Sequence, residues 1–117
     1  MKLGELIRTE DFRSEKHVPF IGTPTVVKKG KKFEVEVTVG KEIPHPNTAE
    51  HHIKWIDLYA KFKGKPVIQI SHFDFVPTYG EPSVKSTISL PESATLIAVI
   101  YCSIHGLWEN SIDVKAQ

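Results

Sequence analysis

The segment KKFEVEVTVG, residues 31–40, sets Phe33, Val35, Val37 and Val39 at every second position, with Glu34, Glu36 and Thr38 between them. Extended backbone turns alternate side chains to opposite faces, so a period of two predicts a strand with one buried and one solvated face. Such a strand needs partners, and the chain supplies them. VKSTISL repeats the alternation, with Val84, Ser86, Ile88 and Leu90 against Lys85, Thr87 and Ser89. TPTVV precedes the first strand across KKGKK, where Gly30 can take positive φ, and the pair reads as a hairpin. VIQISHFDF is a further strand, and SIDVK is an edge strand near the C-terminus. TLIAVIYC is a continuous apolar run, consistent with a strand buried on both faces. IKWIDLYAKF is ambiguous: its apolar positions change parity between Trp55 and Ile56, and Ile53, Ile56 and Ala60 would also suit a helix. The β-rich surroundings favour a long strand with a bulge. Short strands joined by short turns predict an all-β fold, a seven-stranded immunoglobulin-like β-sandwich or barrel. An irregular N-terminal segment precedes it, with Pro19 stopping any helix after His17.

Length and cysteine count narrow the class. A chain of 117 residues fits one domain, residues 1–117, large enough to bury a core without disulfides. Its one cysteine, Cys102, excludes an intramolecular disulfide and a Cys₄ zinc site. A formal net charge of +1 gives no warrant for a nucleic-acid or membrane partner. The N-terminal residues show no continuous apolar stretch of a signal peptide, and no run approaches the roughly 20 apolar residues of a spanning helix. A cytoplasmic protein is the expectation.

The chemistry-bearing residues are Cys102 and the six histidines, His17, His45, His51, His52, His72 and His105. YCSIHGLWEN puts Cys102 three residues before His105, directly after the apolar run. That spacing can bring a sulfur and an imidazole to one metal, and this pair of ligands suits zinc, copper or iron rather than magnesium or calcium. A lone buried cysteine is equally at home as a small core residue. GKEIPHPNTAEHH flanks His45 with Pro44 and Pro46, which hold it on extended backbone in a loop. The bunching of histidines in such segments favours a metal site, with the metal left open. His52 follows His51 and on extended backbone points the other way. His72 lies within a strand and reads as a surface or hydrogen-bonded histidine. Tyr101 and Trp108 read as packing that keeps water from the sulfur, and the N–H groups of Ile104 and His105 as donors to it.

EKHVP, GKEIPHPNTAEHH and YCSIHGLWEN, in that order across nearly the whole chain, resemble the one-iron superoxide reductases of the neelaredoxin type. The resemblance implies a mononuclear iron that passes between ferrous and ferric states. Its equatorial imidazoles would come from His17, His45, His51 and His105, and its axial thiolate from Cys102. Glu15 would fill the sixth position in the ferric state, and Lys16 would stand beside the open face to draw in superoxide. The implied reaction is the one-electron reduction of superoxide to hydrogen peroxide. The resemblance also implies re-reduction by rubredoxin or a similar small carrier, and a homotetramer.

Two other classes compete. A β-sandwich with an upstream histidine and a late Tyr-Cys-Ser-x-His also resembles a small blue-copper electron carrier, although the only methionine is Met1 and the usual axial methionine is missing. A non-catalytic immunoglobulin-like interaction module would leave the histidines incidental.

Overall fold

In the computed structural model, which describes residues 1–117, the alternating segments become eight strands in two sheets. In chain order they are β1 (Phe20–Gly22), β2 (Val26–Val27), β3 (Phe33–Thr38), β4 (Ile53–Lys61), β5 (Ile68–Asp74), β6 (Ser83–Ile88), β7 (Ala94–Cys102) and β8 (Gly106–Ala116). One sheet has the order β1-β3-β6, the other β2-β8-β7-β4-β5. The helical content is one 3₁₀ turn at Leu3–Glu5. The all-β class stands, with eight strands where periodicity predicts seven. The added strand is β1, whose three residues are too few to show a period.

The inner faces of the two sheets meet in one apolar cluster. Val35 and Val37 of β3 and Ile88 of β6 pack with Ile56, Leu58 and Ala60 of β4 and Leu96, Ala98 and Ile100 of β7. The valines on the alternating face of β3 are 0% and 2% exposed, and burying each is worth about 1.5–3 kcal/mol. Glu34 and Glu36 turn outward and pair with Lys85 and Lys41.

Three details differ from the sequence expectation. TPTVV does not form a hairpin with β3. Both sides of β3 are already taken, by β1 (Ile21 opposite Val37) and by β6 (Val35 opposite Ser86). β2 therefore crosses to the other sheet and runs parallel to the end of β8, with Val26 opposite Lys115. Gly30, at φ 74, supplies the left-handed residue in the connecting turn. SIDVK is the tail of the eleven-residue β8, which pairs with β7 from Ala94–Val114 to Cys102–Gly106 and is flanked by β2 at its end. The apolar run in β7 is deeply buried on one face only, because Ala94, Leu96, Ala98, Ile100 and Cys102 alternate with half-buried residues. Its second face is apolar because Ile97 and Val99 line a groove of about 380 Å³ with Leu3, Ile7, Trp55 and Leu107.

The ambiguous segment is a strand, β4, with register shifts between Ile53 and Trp55 against β7 and between Leu58 and Tyr59 against β5. The first shift lets Ile53 and Ile56, of opposite parity, both point inward at 3% and 0% exposure. It also brings the start of β4 beside the end of β7, with Ile53 opposite Cys102. Three irregular segments arrive at that end of the sandwich: residues 9–19, residues 39–52, and the three-residue turn Ser103–His105 between β7 and β8.

Candidate metal centre

The β7–β8 hairpin provides the local half of the site. Cys102 is the last residue of β7 and fully buried, and the turn returns the chain at Gly106, whose φ of 80 suits the left-handed end of a three-residue loop. Within that tight turn the His105 N–H points at Cys102 Sγ, 3.4 Å away, and His105 Nδ1 lies 3.9 Å from the same sulfur. Of the two main-chain donors expected on the sulfur, His105 N–H is there; Ile104 N–H makes no such bond. Trp108 is 1% exposed and its Nε1–H donates to the His105 carbonyl at 3.2 Å. The indole fixes the turn from below.

The N-terminal segment brings the second part. Arg8 pairs in parallel with Trp108, its N–H donating to the Leu107 carbonyl at 3.2 Å and its carbonyl accepting from Glu109 N–H at 2.9 Å. Its guanidinium sits 4.3 Å from the centre of the Trp108 ring, a cation–π contact. His17 stacks on the same indole, with ring centroids 4.9 Å apart and planes inclined by 14°. So stacked, and 5% exposed, His17 presents Nε2 to His105 Nδ1 at 3.1 Å. Glu15 holds the far side of the ring, accepting the His17 main-chain N–H at 2.7 Å and lying 2.6 Å from Nδ1. Burial works to raise the Glu15 carboxyl, but the two contacts with His17 and the charges of His17 and Arg8 outweigh it and hold the pKa below the usual range.

The loop between β3 and β4 brings the third part. His45 Nδ1 donates to the Pro46 carbonyl at 2.7 Å, which turns Nε2 inward to 3.5 Å from Cys102 Sγ. Asn47 fastens the loop to the β5–β6 turn, donating to the Gly80 carbonyl at 3.3 Å and accepting from Thr78 N–H at 3.0 Å. The His51 ring packs 4.7 Å from that of His45 and 5.0 Å from that of His105. Its Nε2 is buried with no hydrogen-bond partner, a costly state for an imidazole nitrogen unless something binds it. Ligand atoms of His17, His51, Cys102 and His105 lie within 4.8 Å of one another, and His45 Nε2 adjoins the sulfur.

Electrostatics at this end favour the uncharged form of three of the imidazoles. Burial lowers the pKa of His45 to about 4, against the opposing pull of the Pro46 carbonyl and with help from His17, His51 and Lys16. Burial also lowers His17, partly offset by Glu15, and lowers His51, where the neighbouring His105 and Lys16 charges add to it. Neutral imidazoles are what a metal cation binds, since the proton competes for the same lone pair. Lys16 is half-buried, and its charge bears on all three rings. Four nitrogens and one sulfur, drawn from segments far apart in the chain, fit a mononuclear transition metal of intermediate softness.

The chain matches the desulfoferrodoxin family over residues 9–111. The chain belongs to that family. A superoxide reductase of Pyrococcus horikoshii is 41% identical over 97% of this chain and 99% of its own length. A Thermotoga maritima crystal structure superposes with a TM-score of 0.96 at 45% identity, covering 100% of this chain and 98% of that one. The superoxide reductase (neelaredoxin) of Ignicoccus hospitalis gives a TM-score of 0.90 at 39% identity, covering 100% of both chains. Desulfoferrodoxin membership removes the blue-copper carrier and the interaction module as readings.

Two histidines fall outside the cluster, as their positions predict. His52 is 8% exposed, and its Nδ1–H donates to the Thr48 carbonyl at 3.0 Å. His72 lies on the outer face of β5, its Nδ1 against Asp57 and its Nε2 3.1 Å from Asp74. Trp108 packs on His17, while Tyr101 faces away from the sulfur and stacks on Trp55 with centroids 6.0 Å apart. Arg8 and Asn47 are the residues that sequence reasoning passes over. Nothing in RTE or HPN marks them, because each acts through main-chain partners distant in sequence.

Proposed function

We infer that this chain is a superoxide reductase. It converts superoxide, one electron and two protons into hydrogen peroxide at a mononuclear iron held by His17, His45, His51, His105 and Cys102. The observation that carries the assignment of ligands is the convergence of five donor atoms with His51 Nε2 buried and unpartnered. The iron supplies the electron and a binding position for the anion. The protein residues do the rest. Burial favours the neutral form of His17, His45 and His51, which would leave a bound iron cationic toward an incoming anion, and the buried Cys102 would add a polarisable donor. Lys16 adds a positive charge at the same end, which raises the encounter rate with superoxide and stabilises charge building on the oxygen atoms.

Glu15 has two candidate roles in this reading. Its carboxylate grips His17 at both the main-chain N–H and the ring, which fixes the face of the imidazole offered to the metal. Capping the oxidised iron would require those contacts to break. A small one-electron carrier of the rubredoxin kind restores the ferrous state, the assembly is a homotetramer, and residues 1–117 act as one domain. The resemblance to neelaredoxin-type enzymes supports these parts. No helix is long and apolar enough to cross a membrane, and a free buried thiol suits a reducing cytoplasm.

The test is metal content measured beside the reaction. Protein purified without added metal should carry iron near one per chain, and superoxide should decay without release of oxygen. Cys102→Ser should lose the red thiolate-to-ferric absorption and, on the scale of the catalytic loss expected for a missing metal donor, at least roughly 100-fold in rate. Copper or no metal in the wild-type protein, or full activity in the serine variant, would overturn the assignment.

A further inference from the structure

We propose that Ser103 is a positioning residue that latches the loop bearing His51 onto the turn bearing Cys102 and His105. The proposal rests on the metal-centre reading above. It starts from a problem of construction. Cys102 and His105 share one hairpin, but His51 sits half a chain away in a segment with no strand of its own. The last rung of the β4–β7 ladder, Ile53 opposite Cys102, stops two residues short of His51.

Beyond that rung, the hydrogen bonds joining residues 48–52 to the turn Ser103–His105 all run through Ser103. Its N–H donates to the His52 carbonyl at 2.9 Å, and its Oγ accepts from the His52 N–H at 3.1 Å. The same hydroxyl donates to the Glu50 carbonyl at 3.3 Å. One side-chain oxygen therefore grips the loop on both sides of His51. His52 completes the grip, since its ring donates to the Thr48 carbonyl and folds the loop back on itself. Thr48 in turn closes the loop around His51, accepting its N–H at 3.0 Å and donating its own N–H to the His51 carbonyl at 2.9 Å. With the backbone pinned at Glu50 and His52, the His51 ring is left to fill the space beside His45 and His105.

Alanine at position 103 keeps the main-chain bond to His52 and removes both hydroxyl bonds. It strands the N–H of a residue that is 8% exposed. Threonine keeps the hydroxyl. The experiment challenges reduced, iron-loaded protein with a ferrous chelator and follows iron release. Thermal unfolding is followed in parallel. Ser103→Ala should release iron about tenfold faster than wild type, in line with the usual effect of residues that orient metal ligands, and Ser103→Thr should stay within about threefold. A merely structural role for Ser103 would lower the unfolding temperature and leave release unchanged. Wild-type release from Ser103→Ala, or release from Ser103→Thr as fast as from alanine, sinks the latch. His51→Ala separates this failure from that of the centre itself. If it too holds iron like wild type, His51 is no ligand and the metal-centre reading falls. If it releases iron while Ser103→Ala does not, the latch alone falls.

Discussion

Two histidine environments in this molecule point in opposite directions. At the metal end, four imidazoles crowd together with one carboxylate at their margin, and burial drives His45, His51 and His17 toward the neutral form. On the outer face of the five-stranded sheet, His72 stands between two carboxylates, with Asp57 on Nδ1 and Asp74 on Nε2. A neutral imidazole has one N–H and cannot donate to both, so the geometry calls for the cation, and the two carboxylates raise the His72 pKa. The same side chain is thus set up as a metal donor in one place and as a charge in the other. Burial and neighbours decide together: desolvation pushes His17, His45 and His51 toward the neutral form, and two carboxylates hold the exposed His72 toward the charged one.

The contrast can be broken first on the His72 side. Asp57 is 7% exposed and accepts from Tyr59 Oη at 2.7 Å as well as contacting His72, while burial and that carboxylate push the tyrosine pKa up to about 12. Asp57→Asn keeps a partner for the tyrosine and removes the charge. It should cost roughly 1.5–3 kcal/mol, the range for hydrogen bonds to charged groups, and lower the unfolding temperature by several degrees. An unchanged melting temperature would mean that the cluster carries no net stability.

On the metal side the informative change is Lys16→Ala. Removing the one cation whose charge bears on all three lowered histidines should slow the second-order reaction with superoxide by about tenfold and flatten its dependence on ionic strength. Pulse radiolysis across a salt series decides it, and superimposable curves for variant and wild type remove Lys16 from the reaction.

The smallest effect sharpens the comparison through pH. The raised His72 pKa means that its pairing contributes stability fully below about 6.5, its unfolded value, and loses it as pH rises through the folded value. The melting temperature of His72→Gln should therefore trail wild type most in mildly acidic buffer and approach it at alkaline pH. A gap that widens with rising pH would reverse the charge assigned to His72.

How far the sequence could be read follows from the range of each interaction. The period of β3 and β6 is written in consecutive residues, and so is the Cys-x-x-His turn. The parity change in IKWIDLYAKF signals a bulge but not its place: it lies between Trp55 and Ile56, whereas the shift that sets Ile53 beside Cys102 falls between Ile53 and Trp55. The pairing of β2 is not written locally, because it depends on β1 and β6 having already occupied β3. The histidines show the same limit. His51, His52 and His72 look alike as letters, and motif resemblance separates the first from the others before any geometry does. What separates them physically is the Thr48 carbonyl on His52, Asp57 on His72, and the lack of any hydrogen-bond partner for the buried Nε2 of His51. Ser103 carries no sequence signal, since its role exists only once residue 52 has come to meet it.

His17 touches His105 across a sequence separation of 88. Closing so wide a loop carries a larger entropic cost than closing a hairpin. A half-assembled chain, with β7 and β8 joined but neither the N-terminus nor the loop between β3 and β4 docked, offers an ion only the sulfur and one imidazole. The full donor set therefore needs both long-range closures, and the colour of the oxidised centre is expected to appear only after the N-terminal segment and that loop have docked.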